Sequence, residues 1–166
     1  MGQHAFSQYN GSKSHASGHF RLPESIEYIG TNCFSGFGDN LEGEIIIPTS
    51  FTSVPFSIFE NMSFPNGTNL TFHDNVVRIG ARAFSDIQFN NKIVWPASIV
   101  SIGDDAFFGC MCLCAVEIPY GVKSIGDRAF QSCPLLSLSN VAIPNSVTNI
   151  GDKAFDKDVK LRIKAR

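Results

Sequence analysis

The sequence is expected to fold as a β-rich solenoid: short parallel strands stacked coil on coil, with a short helical turn in each coil. Three observations lead there. The phrase "SIGDDAFFGC" at 101–110 returns as "SIGDRAFQSC" at 124–133 and as "NIGDKAF" at 149–155. Around it, five apolar columns run in register through the chain. Their period is 23 to 25 residues, and a period of 20–50 residues marks a solenoid or a propeller. A four-stranded propeller blade needs ~40–45 residues, so each unit here is one solenoid coil. Such a coil cannot bury its inward side chains alone, but a stack of coils can.

Each coil is counted from a proline: Pro23, Pro48, Pro96, Pro119 and Pro144, with His73 in the remaining place. One and three residues before this origin stand apolar side chains, such as Ile118 and Val116 or Ile143 and Val141. "VEIP" and "VAIP" therefore read as short strands with one buried face. Proline, with no N–H to donate, ends each strand. An apolar residue follows three places later (Ile26, Phe51, Val76, Ile99, Val122, Val147). Ile or Val follows six places later (Ile29, Val54, Ile79, Ile102, Ile125, Ile150). This segment reads as extended chain or a second short strand.

The glycines Gly30, Gly80, Gly103, Gly126 and Gly151 come next, and a turn with positive φ is expected of them. Asp104, Asp127 and Asp152 follow in the later coils, placed as N-caps of short helical turns; Thr31 can do the same in the first coil. Eleven residues after every origin stands a phenylalanine: Phe34, Phe59, Phe84, Phe107, Phe130 and Phe155. This column is expected to plug the core, and it accounts for many of the chain's 15 phenylalanines. Beside it the column Arg82, Asp105, Arg128, Lys153 alternates in charge, although exposed ion pairs contribute only ~0–1 kcal/mol.

Composition narrows the function. The chain has 166 residues, is 43% hydrophobic and 17% charged, and carries a net charge of -2. That suits one domain with a real core and leaves no basic footprint for nucleic acid. Lys157, Lys160, Arg162, Lys164 and Arg166 read as a solvated end. No run of ~18 apolar residues suggests a transmembrane segment. The first residues show neither a signal-peptide pattern nor the myristoylation pattern, since Phe6 stands where Ser or Thr is needed.

The phrases "IPNSV", "VTNIGDKAF" and "IPYGVKSIGDRAFQSC" resemble the BspA-like leucine-rich repeats, whose unit runs roughly IPxSVxxIGxxAFxxC. The resemblance covers residues 20 to about 163. It departs at 44–69, where Pro55 stands in place of glycine, and at 70–92, where His73 replaces proline. It implies a leucine-rich repeat solenoid of about six coils over 20–166. The far end, "KLRIKAR", itself reads as a last strand with Leu161 and Ile163 inward and a charged outer edge. The resemblance also implies a surface or secreted protein that adheres to host, matrix or neighbouring-cell proteins. "GQHAF" fits the Gly-x-x-Ala-Phe phrase with its first half missing. Residues 1–19 are therefore expected to hold a truncated repeat followed by an irregular segment from Ser7 to Gly18.

No constellation points to catalysis or to a cofactor. Cys110 and Cys133 share a column and read as buried thiols; an inter-coil disulfide or a zinc site with Cys112 or Cys114 is the alternative. Cys33 is solitary. The Asp column lacks the 6–8 oxygens calcium takes. His4, His15, His19 and His73 form no set. No nucleophile elbow, phosphate loop or zinc-protease motif occurs. Asn10, Asn61, Asn66 and Asn69 stand in N-x-S/T triplets, read as polar turns or, on a eukaryotic secretory route, glycan acceptors.

The remaining candidate is the outward face of the first strand. Two residues before each origin the side chain points away from the core. That column reads Arg21, Ile46, Thr71, Val94, Glu117, Ala142 and Arg162, with an apolar middle. Such a surface suits a protein ligand, although β-branched residues also populate sheet surfaces for their strand propensity. The expected function is a non-catalytic protein-binding module in surface adhesion or cell–matrix and cell–cell recognition. The alternative is an intracellular scaffold, with end-to-end self-association through open strand edges.

Overall fold

In the computed structural model, residues 1–2, 5, 16–90, 93–138 and 140–165 are described. They form a right-through stack of about six coils in which every strand pairing is parallel. The strands are β1 (Ser17–Phe20), β2 (Asn40–Ile46), β3 (Ser53–Val54), β4 (Asn69–Thr71) and β5 (Arg78–Ile79). They continue as β6 (Ser101–Ile102), β7 (Ser124–Ile125), β8 (Asn140–Pro144), β9 (Asn149–Ile150) and β10 (Lys160–Lys164).

Three hydrogen-bonded ladders run along the stack. The first comprises β1, β2 and β4, continues through the bridges Thr71 to Val94 and Glu117 to Ala142, and ends with β8 and β10. The second is a five-stranded sheet in the order β3-β5-β6-β7-β9. It is the second short strand expected after each proline. The third follows the Gly-Asp-x-Ala-Phe corner. There alternate N–H groups of one coil donate to carbonyls of the next: Asp105 to Asp127, Phe107 to Ala129, and Gly109 to Gln131, at 2.8, 2.8 and 3.0 Å.

This third ladder explains why the corner is not the short helical turn that the sequence suggested. Asn32, Ser57, Arg82, Asp105, Arg128 and Lys153 all have φ between 49° and 55°, so an α-helix cannot propagate through them. The N–H groups of the first five serve the neighbouring coil instead of an i−4 carbonyl. Among the described residues the one helical segment is a 3₁₀ turn at Pro134–Leu138, outside this phrase. The aspartates are not N-caps within their own coil either. Asp104 Oδ1 accepts the N–H of Asp127 at 2.9 Å, and Asp127 Oδ1 accepts that of Asp152 at 2.7 Å. Each carboxylate thus bonds the coil that follows.

The expected positive φ at the repeat glycines is also corrected. Gly80, Gly103, Gly126 and Gly151 do not adopt it. Glycine is needed for room: a Cβ on Gly103 would lie 2.6 Å from the backbone nitrogen of Ala81, and one on Gly151 2.4 Å from that of Asp127. The left-handed conformation falls two residues later.

Between the ladders lies one continuous core. The phenylalanine column is a ring stack. Phe34, Phe59, Phe84, Phe107, Phe130 and Phe155 follow one another at centroid distances of 6.1, 5.5, 5.2, 5.3 and 5.2 Å, with interplanar angles of 1° to 19°. Ile29, Val54, Ile79, Ile102 and Ile125 are buried; Ile150, on the edge strand β9, is 42% exposed. Trp95 packs against this core, stacked on Phe72 and edge-on to Phe107. His73 fills its proline's place by bonding: its Nε2 donates to the Pro48 carbonyl at 2.6 Å, while Nδ1 accepts the Asn75 N–H at 3.2 Å.

Two end positions differ from the repeat count. Phe20 pairs with Gly43, two residues short of Ile45, so Arg21 leaves the register of Ile46. Leu161 and Ile163 pair beside Val141 and Ile143, on the inward side, but are 48% and 74% exposed because β10 is an edge strand.

Candidate functional site

The outward column of the first ladder is assembled largely as its spacing requires. Ile46 pairs with Thr71, Thr71 with Val94, Glu117 with Ala142, and Ala142 with Arg162. Alternation along each strand points these side chains away from the core, since their neighbours Ile45, Leu70, Ile93, Val116 and Val141 are buried. Thr71, Glu117 and Arg162 are exposed, Ile46 and Ala142 half-buried, and Val94 is 68% exposed. A valine so open at the centre of a sheet contributes nothing to the core.

The corner carries a second, polar site that column spacing hinted at only through its alternating charge. Asp105 is nearly buried. Arg128 holds it bidentately, Nε to Oδ1 at 2.7 Å and Nη2 to Oδ2 at 2.8 Å. Arg82 approaches from the other side, 3.8 Å from Asp105 and 3.6 Å from Glu60. Hydrogen bonding from Arg128 lowers the Asp105 pKa against the opposing effect of burial, and the charges of Arg128 and Arg82 add to the lowering. These residues line a groove of about 550 Å³ together with Ser85, Asp86, Gln131 and Ser132. Its lining holds no histidine, cysteine or lysine, so no nucleophile–base pair of the usual kind meets there. Its ion pairs link four successive coils by charge.

The cysteines form no disulfide with one another. Cys33, Cys110 and Cys133 are buried, and all five are free thiols. The Sγ–H groups of Cys110 and Cys133 donate to the carbonyls of Phe84 and Phe107, one coil back, at 3.3 and 3.2 Å. Burial pushes the Cys110 thiol pKa up, and the neighbouring Cys133 sulfur adds to it. Among the described residues no group of three or more His, Cys, Asp or Glu could hold a metal, and no helix is long and apolar enough to cross a membrane. Asn61, Asn66 and Asn69 are exposed; Asn10, His4, His15 and Arg166 lie outside the described residues.

A family model described as the BspA type leucine rich repeat region matches residues 1–136 in six copies. The chain belongs to this family of BspA-type leucine-rich repeats. No curated protein matches it. Among solved structures, a leucine-rich cell surface protein of Faecalibacterium prausnitzii A2-165 is similar at 20% identity and a TM-score of 0.47. The alignment covers 99% of this chain, which spans 64% of that protein's length. In this BspA-type solenoid the Phe column and the Gly-x-x-Ala-Phe corner are structural throughout. What the repeat leaves variable is the outward strand column and the charged corner groove.

Proposed function

We propose that this BspA-type solenoid is a non-catalytic protein-binding module of the cell surface, acting in adhesion or in cell–matrix and cell–cell recognition through its outward strand column. The observation that carries the reading is the in-register row Ile46, Thr71, Val94, with Val94 68% exposed on a sheet whose other face is core. Apolar side chains held in a row on rigid strands lose little conformational freedom on binding, and contiguous exposed apolar surface marks interaction sites. Glu117 and Ala142 extend the same row. The ligand class is a protein, recognised by shape and several modest contacts across coils.

The surface assignment is tested by staining intact and permeabilised cells of the source organism with an antibody to this chain, before and after protease treatment of intact cells. Signal on intact cells that protease removes is the expected result. Signal only after permeabilisation would overturn adhesion and favour an intracellular scaffold.

A further inference from the structure

The strand face is not only apolar at its centre; it is charged oppositely at its two ends. On β2 the outward residues Glu42 and Glu44 are exposed beside Ile46, and His19 of the edge strand β1 stands 3.7 Å from Glu42. On β10 the outward residues Lys160, Arg162 and Lys164 are exposed. Between the acidic and the basic strand stand Thr71, Val94, Glu117 and Ala142, one per coil. From β2 to β10 the face spans five strand steps of about 4.8 Å, roughly 24 Å. The two charged ends are thus farther apart than the Debye length of ~8 Å at physiological salt, and each acts as a separate patch.

From this polarity we infer that the partner this face fits is a second copy of the chain, docked face to face about a two-fold axis parallel to the strands. The inference rests on the reading of the strand face as the interaction surface. Rotation about such an axis keeps strand direction and reverses coil order. Glu44 of one copy then faces Lys160 of the other, because both stand four residues before the origin position on their strands. Ile46 faces the aliphatic stem of Arg162, Thr71 faces Ala142, and Val94 faces the aliphatic part of Glu117 at the rim of the carboxylate. The contact is isologous: each acidic end meets a basic end twice, and the symmetry closes at two copies. An arrangement with coil order kept would set acid on acid and base on base, so the charges select one orientation.

The size of the face sets the strength. Strands of about five residues are ~16 Å long, so each copy covers roughly 400 Å² and the pair roughly 800 Å², below the ~1,200 Å² of stable complexes. The dimer is therefore weak and forms at high local concentration, as between chains crowded on one surface or on two apposed ones.

The test is the oligomeric state of the full chain by sedimentation velocity over rising concentration, with charge-swapped variants. The wild type is expected to dimerise reversibly, at least tenfold more weakly when salt is raised from ~0.05 to ~0.5 M. The pair Glu42→Lys with Glu44→Lys, and separately the pair Lys160→Glu with Arg162→Glu, are each expected to be monomeric. An equimolar mixture of the two is expected to dimerise again, since each acidic end then meets a basic one. That rescue requires both variants to be folded. A wild type monomeric up to about 1 mM, swapped variants that dimerise like the wild type, or a mixture that stays monomeric would each overturn the second-copy inference. The reading of the face as a surface for another protein fails separately, if Ile46→Asp with Val94→Asp leaves partner binding unchanged.

Discussion

Removing one ring from the middle of the phenylalanine stack tests the physical basis of the fold. Phe107 is fully buried. It stacks on Phe84 at 5.2 Å and Phe130 at 5.3 Å, meets Trp95 edge-on at 5.4 Å, and touches Phe89 at 6.2 Å. Phe107→Ala leaves a cavity among four aromatic rings. Buried Phe→Ala changes cost about 3–5 kcal/mol, and each lost aromatic pair is worth about 0.5–1.5 kcal/mol. Relaxation into the space is limited, because the Phe84 and Phe107 backbones are pinned by N–H bonds to Ala106 and Ala129 at 2.9 and 2.8 Å. The expected loss is therefore in the upper half of the range, about 4–5 kcal/mol. Phe155→Ala removes a ring that is 9% exposed and stacks on Phe130 alone; it should cost about 1–2 kcal/mol less. Guanidinium titrations read both. The single tryptophan, Trp95, reports beside the cavity, and circular dichroism reports the whole stack. Coincidence of the two transitions is required before midpoints become free energies, since repeat arrays can unfold in parts. A loss under about 1 kcal/mol for Phe107→Ala, or a larger loss for Phe155→Ala, would refute the stack as the core of the fold.

Two further outcomes are expected. Gly103→Ala should destabilise by about 1–3 kcal/mol, because its Cβ would overlap the Ala81 backbone of the preceding coil. Gly2→Ala, with nothing within 4 Å, should stay within about 0.5 kcal/mol in the same titration; equal effects would contradict close coil packing as the reason for glycine. Asp105→Asn should matter only while the carboxylate is charged. The folded-state pKa of Asp105 is depressed, so its contribution is full above the unfolded value and is lost as pH falls through the lower folded value. The stability gap between wild type and Asp105→Asn, from titrations at a series of pH values, should be largest near neutrality and close at strongly acid pH. A gap that is constant with pH would contradict the Arg82–Asp105–Arg128 contact as its source.

Much of this architecture was legible in the chain because a solenoid writes its core as columns. The phenylalanines at Phe34 to Phe155 and the aliphatics at Ile29 to Ile125 stand at fixed offsets, and the structure stacks them at those offsets. The outward row from Ile46 to Arg162 followed from the same count. What the count missed depends on the neighbouring coil. Gly103 looks like a turn residue until the backbone of Ala81 is placed against it. Asp104 looks like an N-cap until its partner proves to be the N–H of Asp127. The left-handed φ at Arg82, Asp105 and Arg128, side chains that seldom adopt it, carries no local signal, because the ladder to the next coil holds it in place. Arg21 departs from its column at the first pairing, and Ile163 keeps its column but is left exposed on the edge strand.

The claim that the outward strand face is the binding surface is most directly tested on purified full-length chain, measured for binding to intact cells and to immobilised matrix proteins. Three forms are compared: wild type, Ile46→Asp with Val94→Asp, and Lys153→Glu on the corner face, all first checked for equal unfolding midpoints. The expected result is saturable wild-type binding, at least a tenfold loss in the strand-face variant, and no change in Lys153→Glu. Wild-type binding retained by the Ile46→Asp with Val94→Asp variant, or lost in Lys153→Glu, would contradict the account.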